Sequence, residues 1–121
     1  IMVSQTNGFS FFRRFFMKNL DTIDHIAIQV KNIDKSLKWY LSNFKCKEIY
    51  SDSTWAFIEF NNTKLALVTN EQHPSHFAIL DDDVEKKGAT VKHRDGSVSK
   101  YIKDNSSNYV ELITYESKTN D

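Results

Sequence analysis

Two different hydrophobic periods follow one another between residues 23 and 44, and this change of period constrains the fold more than any other feature. The first stretch alternates with a period of two, which is typical of a β-strand with one apolar face. One face carries Ile23, His25, Ala27 and Gln29, and the other carries Asp24, Ile26, Ile28 and Val30. From Asn32 onward, apolar residues recur every three or four positions and predict an amphipathic helix, at Ile33, Leu37, Tyr40, Leu41 and Phe44. Asn32 or Asp34 can cap its start by accepting a backbone N–H.

Three short strands follow the helix, and the same order then returns in a shorter form. The first three strands are separated by the turns SDST and NNT, and are predicted at Cys46–Ser51, Trp55–Phe60 and Lys64–Thr69. The second half has only a brief helical turn, which Gly88 ends. Its elements are predicted at His76–Leu80, Asp82–Lys87, Ala89–His93, Ser99–Lys103 and Tyr109–Tyr115. Each half therefore has the order β-α-β-β-β.

A unit of this size, on the order of 50 residues, cannot bury its own sheet face, so two such units must cover one another. We therefore predict an α+β fold. Paired βαβββ modules, about residues 22–70 and 75–116, form a curved mixed sheet around a cavity, and the second helix is shortened. We assign residues 17–121 to this single domain, because a chain of 121 residues has room for one sizeable core.

The balance of charge argues against two classes of partner. Sixteen basic and sixteen acidic residues give a formal net charge of zero, so no overall field attracts nucleic acid or an anionic membrane surface. Cys46 is the only cysteine, which excludes an intrachain disulfide and a cysteine-rich zinc site. Such cysteine usage is typical of a reducing cytoplasm. We expect a cytoplasmic protein without a nucleic-acid or membrane partner.

Residues 1–16 form an N-terminal extension ahead of the patterned region. Its stretch GFSFFRRFF, from Gly8 to Phe16, sets five phenylalanines around two arginines. It has no signal-peptide cleavage pattern and is too short to span a bilayer. One interpretation is that it is non-native and precedes a natural start at Met17. The alternatives are an amphipathic surface anchor or an aromatic strip that packs on the domain or on a second subunit, and we expect a homodimer.

Three polar residues stand in equivalent strand contexts and are candidate metal ligands: His25 in DHIAIQV, His76 in SHFAIL and Glu111 in NYVELI. Apolar neighbours occupy one face of each strand, which places the polar side chain on the other face. If that face lines the cavity, two imidazoles and a carboxylate converge. Such a set binds a divalent transition metal and leaves positions open for a substrate. The residues alone leave another interpretation open, in which each side chain makes only local hydrogen bonds.

Two stretches resemble the vicinal oxygen chelate superfamily, which includes glyoxalases, bleomycin resistance proteins and extradiol dioxygenases. DHIAIQV followed by NIDKSLKWYLSNF is similar to its opening strand and helix, and DNSSNYVEL is similar to its final turn and strand. The resemblance implies that His25, His76 and Glu111 are metal ligands on the first, fifth and eighth strands. It also implies a small-molecule substrate and a divalent metal cofactor, and Zn, Mn, Fe, Ni and Co all accept this ligand set.

The chain departs from the family pattern at informative positions. Glyoxalases supply a fourth ligand from the fourth strand, where this chain has Ala66, so a four-ligand glyoxalase is disfavoured. The remaining set resembles that of extradiol dioxygenases and fosfomycin-modifying enzymes, and Ser99 and Tyr101 match residues near the phosphonate in the latter. Ala27 stands where the thiol transferases have threonine, which argues against a resistance enzyme.

Other candidate site residues come from the same strands. We expect catalytic roles for Tyr101 and Glu59, and substrate contacts for Ser99, Ala27, Gln29 and Lys64. A histidine can act as acid or base near neutral pH. For His73 we nevertheless expect a solvated loop position, and for His93 an exposed strand end.

Three functional hypotheses follow. The first is a divalent-metal-dependent enzyme that activates an oxygen-chelating small molecule by Lewis-acid catalysis, as a lyase, isomerase, dioxygenase or fosfomycin-type transferase or hydrolase. The second is a metal-free protein of the same fold that binds a drug or metabolite. The third is a structural or partner-binding module in which the aromatic N-terminal strip has the leading role.

Overall fold

The computed structural model describes residues 19–115, and its secondary structure follows the predicted order. The elements are β1 (Ile23–Gln29), α1 (Ile33–Asn43), β2 (Lys47–Ser51), β3 (Trp55–Glu59), β4 (Lys64–Val68), β5 (His76–Leu80), a 3₁₀ helix (Val84–Lys87), β6 (Val91–Lys92), β7 (Val98–Lys103) and β8 (Tyr109–Thr114). The predicted extension, residues 1–16, lies outside the described residues. Within 19–115, no helix has the length and hydrophobicity that crossing a membrane requires.

The strands of the described chain join into one curved mixed sheet of eight, in the order β2-β3-β4-β1-β5-β8-β7-β6. Within the halves, β1 pairs with β4 and β5 pairs with β8, both in parallel. The halves join edge to edge through the antiparallel pair of β1 and β5. The predicted α+β architecture, two βαβββ-like modules that form a curved sheet with a shortened second helix, is confirmed.

The helix α1 covers the outer face of the first half. Asn32 is its N-cap, because the Asn32 Oδ1 accepts a hydrogen bond from the backbone N–H of Lys35 at 2.8 Å. Ile33 and Leu37 are buried on the inner side of α1, where they pack against outward-facing residues of β3 and β4: Ala56, Ile58 and Leu67. Burial of a side chain such as Leu37 contributes about 1.5–3 kcal/mol. This cluster therefore stabilises the first half and leaves its concave face free for the cavity.

The outer face of the second half has a smaller cover. The 3₁₀ helix stands where the first half has α1, and it buries Val84 completely. Gly88 follows with φ at 117°, a conformation that other residues rarely adopt, so the chain can turn back toward β6. On this outer face Phe77 of β5 and Ile102 of β7 remain 36% and 41% exposed. The second half therefore has less buried apolar packing than the first.

The sixth strand is shorter than the sequence predicts. A strand over Ala89–His93 is expected, but only Val91 and Lys92 pair with β7. At its C-terminal end the strand gives way to a turn: His93 N–H donates to the carbonyl of Ser97 at 2.8 Å, which closes the β6–β7 hairpin, and Gly96 N–H donates to the carbonyl of His93 at 3.0 Å. This turn places His93 against the cavity.

Candidate metal centre

The concave face of the sheet encloses a cavity of about 510 Å³, and its two walls differ in character. The wall from the first half is mainly aromatic and apolar, and includes Ile49, Tyr50, Trp55, Phe57, Ala66 and Val68. The wall from the second half is mainly polar, and includes His73, His76, His93, Tyr101 and Glu111. All four histidines of the chain line this cavity, because His25 also reaches it from β1. A cavity of this volume is large enough for a small molecule.

The three predicted ligands converge at one end of this cavity. His25, His76 and Glu111 come from β1, β5 and β8, which are neighbours in the sheet, and each is buried. Their nearest atoms are the Nε2 nitrogens of the two histidines and Oε1 of Glu111. His25 Nε2 lies 3.3 Å from Glu111 Oε1, and His76 Nε2 lies 3.1 Å from the same oxygen. The ligand atoms of the three residues all lie within 4.8 Å of one another.

The hydrogen bonds on the far side of each ring establish which nitrogen faces the cluster. His76 Nδ1 lies 2.7 Å from the carbonyl oxygen of Pro74, which can only accept, so Nδ1 carries the proton. His25 Nδ1 lies 2.7 Å from Oδ2 of the Asp24 carboxylate, which also accepts. In the neutral rings both Nε2 atoms are therefore lone-pair acceptors that point at a third acceptor, Glu111 Oε1. Each nitrogen lies at hydrogen-bond distance from that oxygen, and two acceptors so close repel one another unless a proton or a cation lies between them.

A divalent cation fits this arrangement. Metal–nitrogen and metal–oxygen bonds of about 2.0–2.2 Å place neighbouring ligand atoms roughly 3–3.5 Å apart. The separations of 3.1 and 3.3 Å lie within that range. Two neutral imidazoles and one carboxylate are a donor set that first-row divalent metals accept. The chemistry of the three residues, and the distance of each histidine nitrogen from the carboxylate oxygen, therefore fit a divalent metal ion.

Electrostatics keep the carboxylates of this centre ionised. Burial raises the pKa of the Asp24 carboxyl, but hydrogen bonds from His25, Tyr115 and Lys64 outweigh burial and lower it to about 2. Burial also raises the pKa of the Glu111 carboxyl, but His25, His76 and the Ser99 hydroxyl outweigh burial and hold it well below its usual range. Burial lowers the pKa of His25, but its two carboxylate neighbours raise it above the ordinary value. The negative charge of Glu111 is thus present at neutral pH for a cation to use.

A side-chain relay that the sequence did not reveal also supports the carboxylate of Glu111. Ser99 is buried, and its hydroxyl lies 2.7 Å from His93 Nε2 and also donates to the Glu111 carboxylate. His93 Nε2 itself lies 3.8 Å from Glu111 Oε2. The expectation that His93 is an exposed strand end is therefore wrong, because the turn after β6 folds its ring toward β7.

His73 is the second histidine whose position differs from the expectation. It is half-buried in the cavity wall instead of solvated, and its Nδ1 lies 2.9 Å from the hydroxyl of Tyr101. The backbone carbonyl of His73 accepts a hydrogen bond from Gln29 Nε2 at 2.9 Å. Burial lowers the pKa of His73, and the neighbouring histidines lower it further against the opposing effect of Glu111. No periodic pattern marks a loop residue of this kind, so the sequence alone carried no signal for it.

Of the two residues predicted to be catalytic, one lines the cavity. The Tyr101 hydroxyl lies 3.5 Å from His76 Nε2, at the edge of the three-ligand cluster. Burial and the charge of Glu111 raise the pKa of Tyr101 well above its usual range, so its hydroxyl keeps its proton. Glu59 is exposed at the end of β3 and is not among the residues that line the cavity. A catalytic role for either residue stays a prediction.

The four residues predicted to contact substrate lie behind the cavity wall. Ala27 is buried against Ala66, and Gln29 bonds to the chain before β5. Lys64 donates to Asp24 at 3.1 Å, and Ser99 supports Glu111. Each of these four residues therefore supports a neighbour, and direct contact with a substrate stays a prediction for all of them.

The position of the fourth glyoxalase ligand is also resolved in the structure. Ala66 is buried, lines the cavity and lies beside Ala27 in the parallel ladder of β1 and β4. A methyl group cannot bind a metal. Ala66 therefore provides no metal ligand at this position of the cavity wall.

Comparisons with known proteins identify the family. The model of the Glyoxalase/Bleomycin resistance protein/Dioxygenase superfamily matches residues 22–113. A hypothetical protein from Bacillus halodurans is similar in structure, with 19% identity and a TM-score of 0.62 over 84% of this chain and 99% of that chain. A superfamily member from Vibrio splendidus has 8% identity and a TM-score of 0.59 over 78% of this chain and 98% of its own. No curated protein matches the chain. The fold, the site and the family match agree, and the chain belongs to the glyoxalase, bleomycin resistance protein and dioxygenase superfamily.

Proposed function

We propose that this protein is a divalent-metal-dependent enzyme that acts on a small molecule able to chelate the ion through two oxygens. The observation that carries the proposal is the convergence of three acceptor atoms, His25 Nε2, His76 Nε2 and Glu111 Oε1, whose rings are already oriented by hydrogen bonds to Nδ1. A metal held there supplies Lewis-acid stabilisation of charge that develops on substrate oxygens. Lyase, isomerase, dioxygenase and fosfomycin-type reactions all use this effect.

The two walls of the cavity divide the remaining tasks. Trp55 and Phe57, whose rings lie 5.3 Å apart, offer an apolar surface to the part of the substrate that does not react. Tyr101 and His73 lie on the opposite wall, 2.9 Å apart, and can donate or accept a proton at a substrate oxygen held beside His76.

A second candidate function rests on the aromatic wall. Tyr50, Trp55 and Phe57 form a continuous set of ring contacts with centroid separations of 5.2 and 5.3 Å. Such a surface binds a flat drug or metabolite whether or not a metal is present. Tight capture of such a ligand by metal-free protein, without turnover, would favour this binding function over the enzyme. A homodimer and a cytoplasmic location stay predictions in either case.

The decisive experiment measures metal directly. Protein purified without chelator is expected to contain close to one divalent ion per chain by elemental analysis. Stripped protein is expected to bind Zn²⁺, Mn²⁺ or Co²⁺ in calorimetric titration. His76→Ala should remove this binding, because one of three ligands is lost.

The matched control is His73→Ala, which deletes a cavity histidine of the same type three positions away but leaves the ligand cluster intact. This variant should retain full occupancy. Absence of any bound divalent ion in the wild type, or equal occupancy in His76→Ala, would overturn the enzyme proposal.

A further inference from the structure

We propose that Asp24 is a positioning residue of the metal centre, whose carboxylate holds the His25 ring and thereby sets the affinity of the site for a divalent cation. This inference rests on the proposed function. It assigns a role to a buried charged residue that the ligand set does not include. Three independent observations support it: the backbone at Asp24, its hydrogen-bond partners, and the contrast with the other histidine ligand.

The backbone first brings Asp24 to the cavity side of the sheet. Strict alternation along β1 would place Asp24 with Ile26 on the outer face. The register is broken here, because Ile23 pairs with Ile79 while His25 pairs with Ala78, so two steps on β1 match one step on β5. Such a β-bulge inserts one extra residue and re-aims its side chain. Asp24 is consequently 8% exposed and lies beside His25 instead of across the sheet from it.

Three donors from separate parts of the sheet then hold the carboxylate in place. His25 Nδ1 and the Tyr115 hydroxyl each lie 2.7 Å from Oδ2, and Lys64 Nζ lies 3.1 Å from Oδ1. Lys64 is itself placed over the rings of Phe57 and Tyr115, at 5.2 and 5.5 Å from their centroids. A carboxylate with both oxygens engaged in this way cannot rotate freely. The direction of the His25 ring is therefore determined by β4 and by the end of β8 as well as by β1.

The two histidine ligands consequently have different supports. His76 donates its Nδ1 proton to a neutral carbonyl, that of Pro74, whereas His25 donates to a carboxylate. A carboxylate partner fixes the tautomer and orientation of the ring and makes its free nitrogen a stronger base toward a metal. Lys64 neutralises part of the Asp24 charge, so the carboxylate supports the ring without competing as a ligand. His25 is thus the ligand whose strength depends most on a neighbouring side chain.

The test is calorimetric titration of the stripped full chain with Zn²⁺ and with Co²⁺, for the wild type and Asp24→Asn. The variant keeps the size of the side chain and removes its charge. Loss of such an outer partner typically weakens metal binding about 10- to 100-fold, and a loss in this range is expected. Asp52→Asn is the matched control, because Asp52 also accepts from a tyrosine hydroxyl at 2.7 Å and from a cationic side chain, Arg94, at 3.2 Å, but touches none of the ligands. It should bind both metals as the wild type does.

A second readout separates positioning from a general loss of structure. In ¹H–¹⁵N correlation NMR of the histidine side chains of the zinc-loaded protein, the wild type should show the His25 Nδ1 proton in a strong hydrogen bond. Asp24→Asn should shift or lose that signal, and Asp52→Asn should keep it. If Asp24→Asn does not fold, Tyr115→Phe decides, since it removes one donor to Asp24 and keeps the charge. A loss of about 2- to 5-fold, as for a single hydrogen bond, supports the inference.

The possible failures are distinguishable. A wild type that binds neither ion overturns the proposed function and this inference with it. A wild type that binds metal while Asp24→Asn, or Tyr115→Phe in its place, binds equally well overturns the inference alone and leaves the metal site standing.

Discussion

The two halves of this protein share one strand order but differ in what covers them and in what they offer to the cavity. The first half carries an eleven-residue helix, α1, over a buried cluster, and its concave wall is aromatic and apolar. The second half carries only a four-residue 3₁₀ helix, and its concave wall holds two of the three proposed ligands together with His73, His93 and Tyr101. Buried apolar packing is thus concentrated in the first half, and most of the titratable side chains of the cavity come from the second half.

This difference shows that two copies of one module can keep the same topology while one contributes mainly packing and the other mainly polar side chains to the cavity. A strand has two faces, so the outer face can be adapted for packing while the inner face is adapted for binding. The junction of β1 and β5 joins the two halves, and it is here that His25 of the first half meets His76 of the second. The predictions below test whether the two halves differ in this way, and they run from the largest expected effect to the smallest.

The largest effect is expected for the only anionic residue among the three proposed ligands. Glu111→Gln should weaken divalent-metal binding by more than about 100-fold, because a direct ligand contributes more than an outer partner whose loss costs 10- to 100-fold. Trp55→Phe, a change in the aromatic wall, should leave metal affinity unchanged. Calorimetric titration with Zn²⁺ checks both. Equal losses in the two variants would show that the division between walls does not hold.

The next effect concerns the unequal cover of the outer face. Leu37 is 5% exposed beneath α1, so Leu37→Ala should lower the free energy of unfolding by about 2–5 kcal/mol. Phe77 is 36% exposed on the second half, so Phe77→Ala should lower it by only about 1 kcal/mol, although the side chain is larger. Urea denaturation followed by fluorescence measures both values. A larger loss for Phe77→Ala would mean that the second half is covered in solution.

A smaller effect is expected from pH, at the junction of the halves. The pKa of Asp24 falls from 3.8 to about 2 on folding, so its contribution to stability is fully present above pH 3.8 and is lost as the pH falls through about 2. Its size is at most about 2 kcal/mol, because the shift is partly screened by solvent. Asp24→Asn removes this contribution. The difference in unfolding free energy between wild type and variant should therefore shrink between pH 4 and 2, and a constant difference would contradict the shift.

The smallest effect is expected for an ion pair that links the two halves at the surface. Arg94 lies 3.2 Å from Asp52, and its side chain is 76% exposed. Exposed pairs contribute little because water and salt screen them, so Arg94→Gln should change the unfolding free energy by less than about 1 kcal/mol. Denaturation at low and high salt tests this. A loss well above that value would show that the halves depend on this link and not only on the β1–β5 junction.

Much of the fold followed from pattern alone. The helix began after Asn32, one of the two predicted caps, and seven of the eight predicted strands lie within one residue of their expected bounds at each end. Local periodicity was sufficient here, because each element buries one face and the spacing of its apolar residues indicates which face that is. The face occupied by His76 and Glu111 could be predicted for the same reason.

The errors share a different cause. Asp24 was placed on the outer face because alternation cannot show a bulge, which exists only relative to the neighbouring strand. His73 was assigned to solvent as a loop residue and His93 as the exposed end of a strand, and at neither position does a periodic pattern indicate where the side chain points. The strand predicted at Ala89–His93 shrank to two residues, and its C-terminal end is lost because the chain already turns between His93 and Ser97 to begin β7.

By itself, the sequence determined the order of the elements, the buried face of most strands and the identity of three candidate ligands, since these depend on contacts and spacing within each element. Only the tertiary structure decided the distances among those ligands, the bulge that brings Asp24 to His25, and the presence of all four histidines in one cavity. These features depend on how strands far apart in the chain align side by side. That alignment results from the packing of the whole sheet, so it cannot be predicted from any single segment.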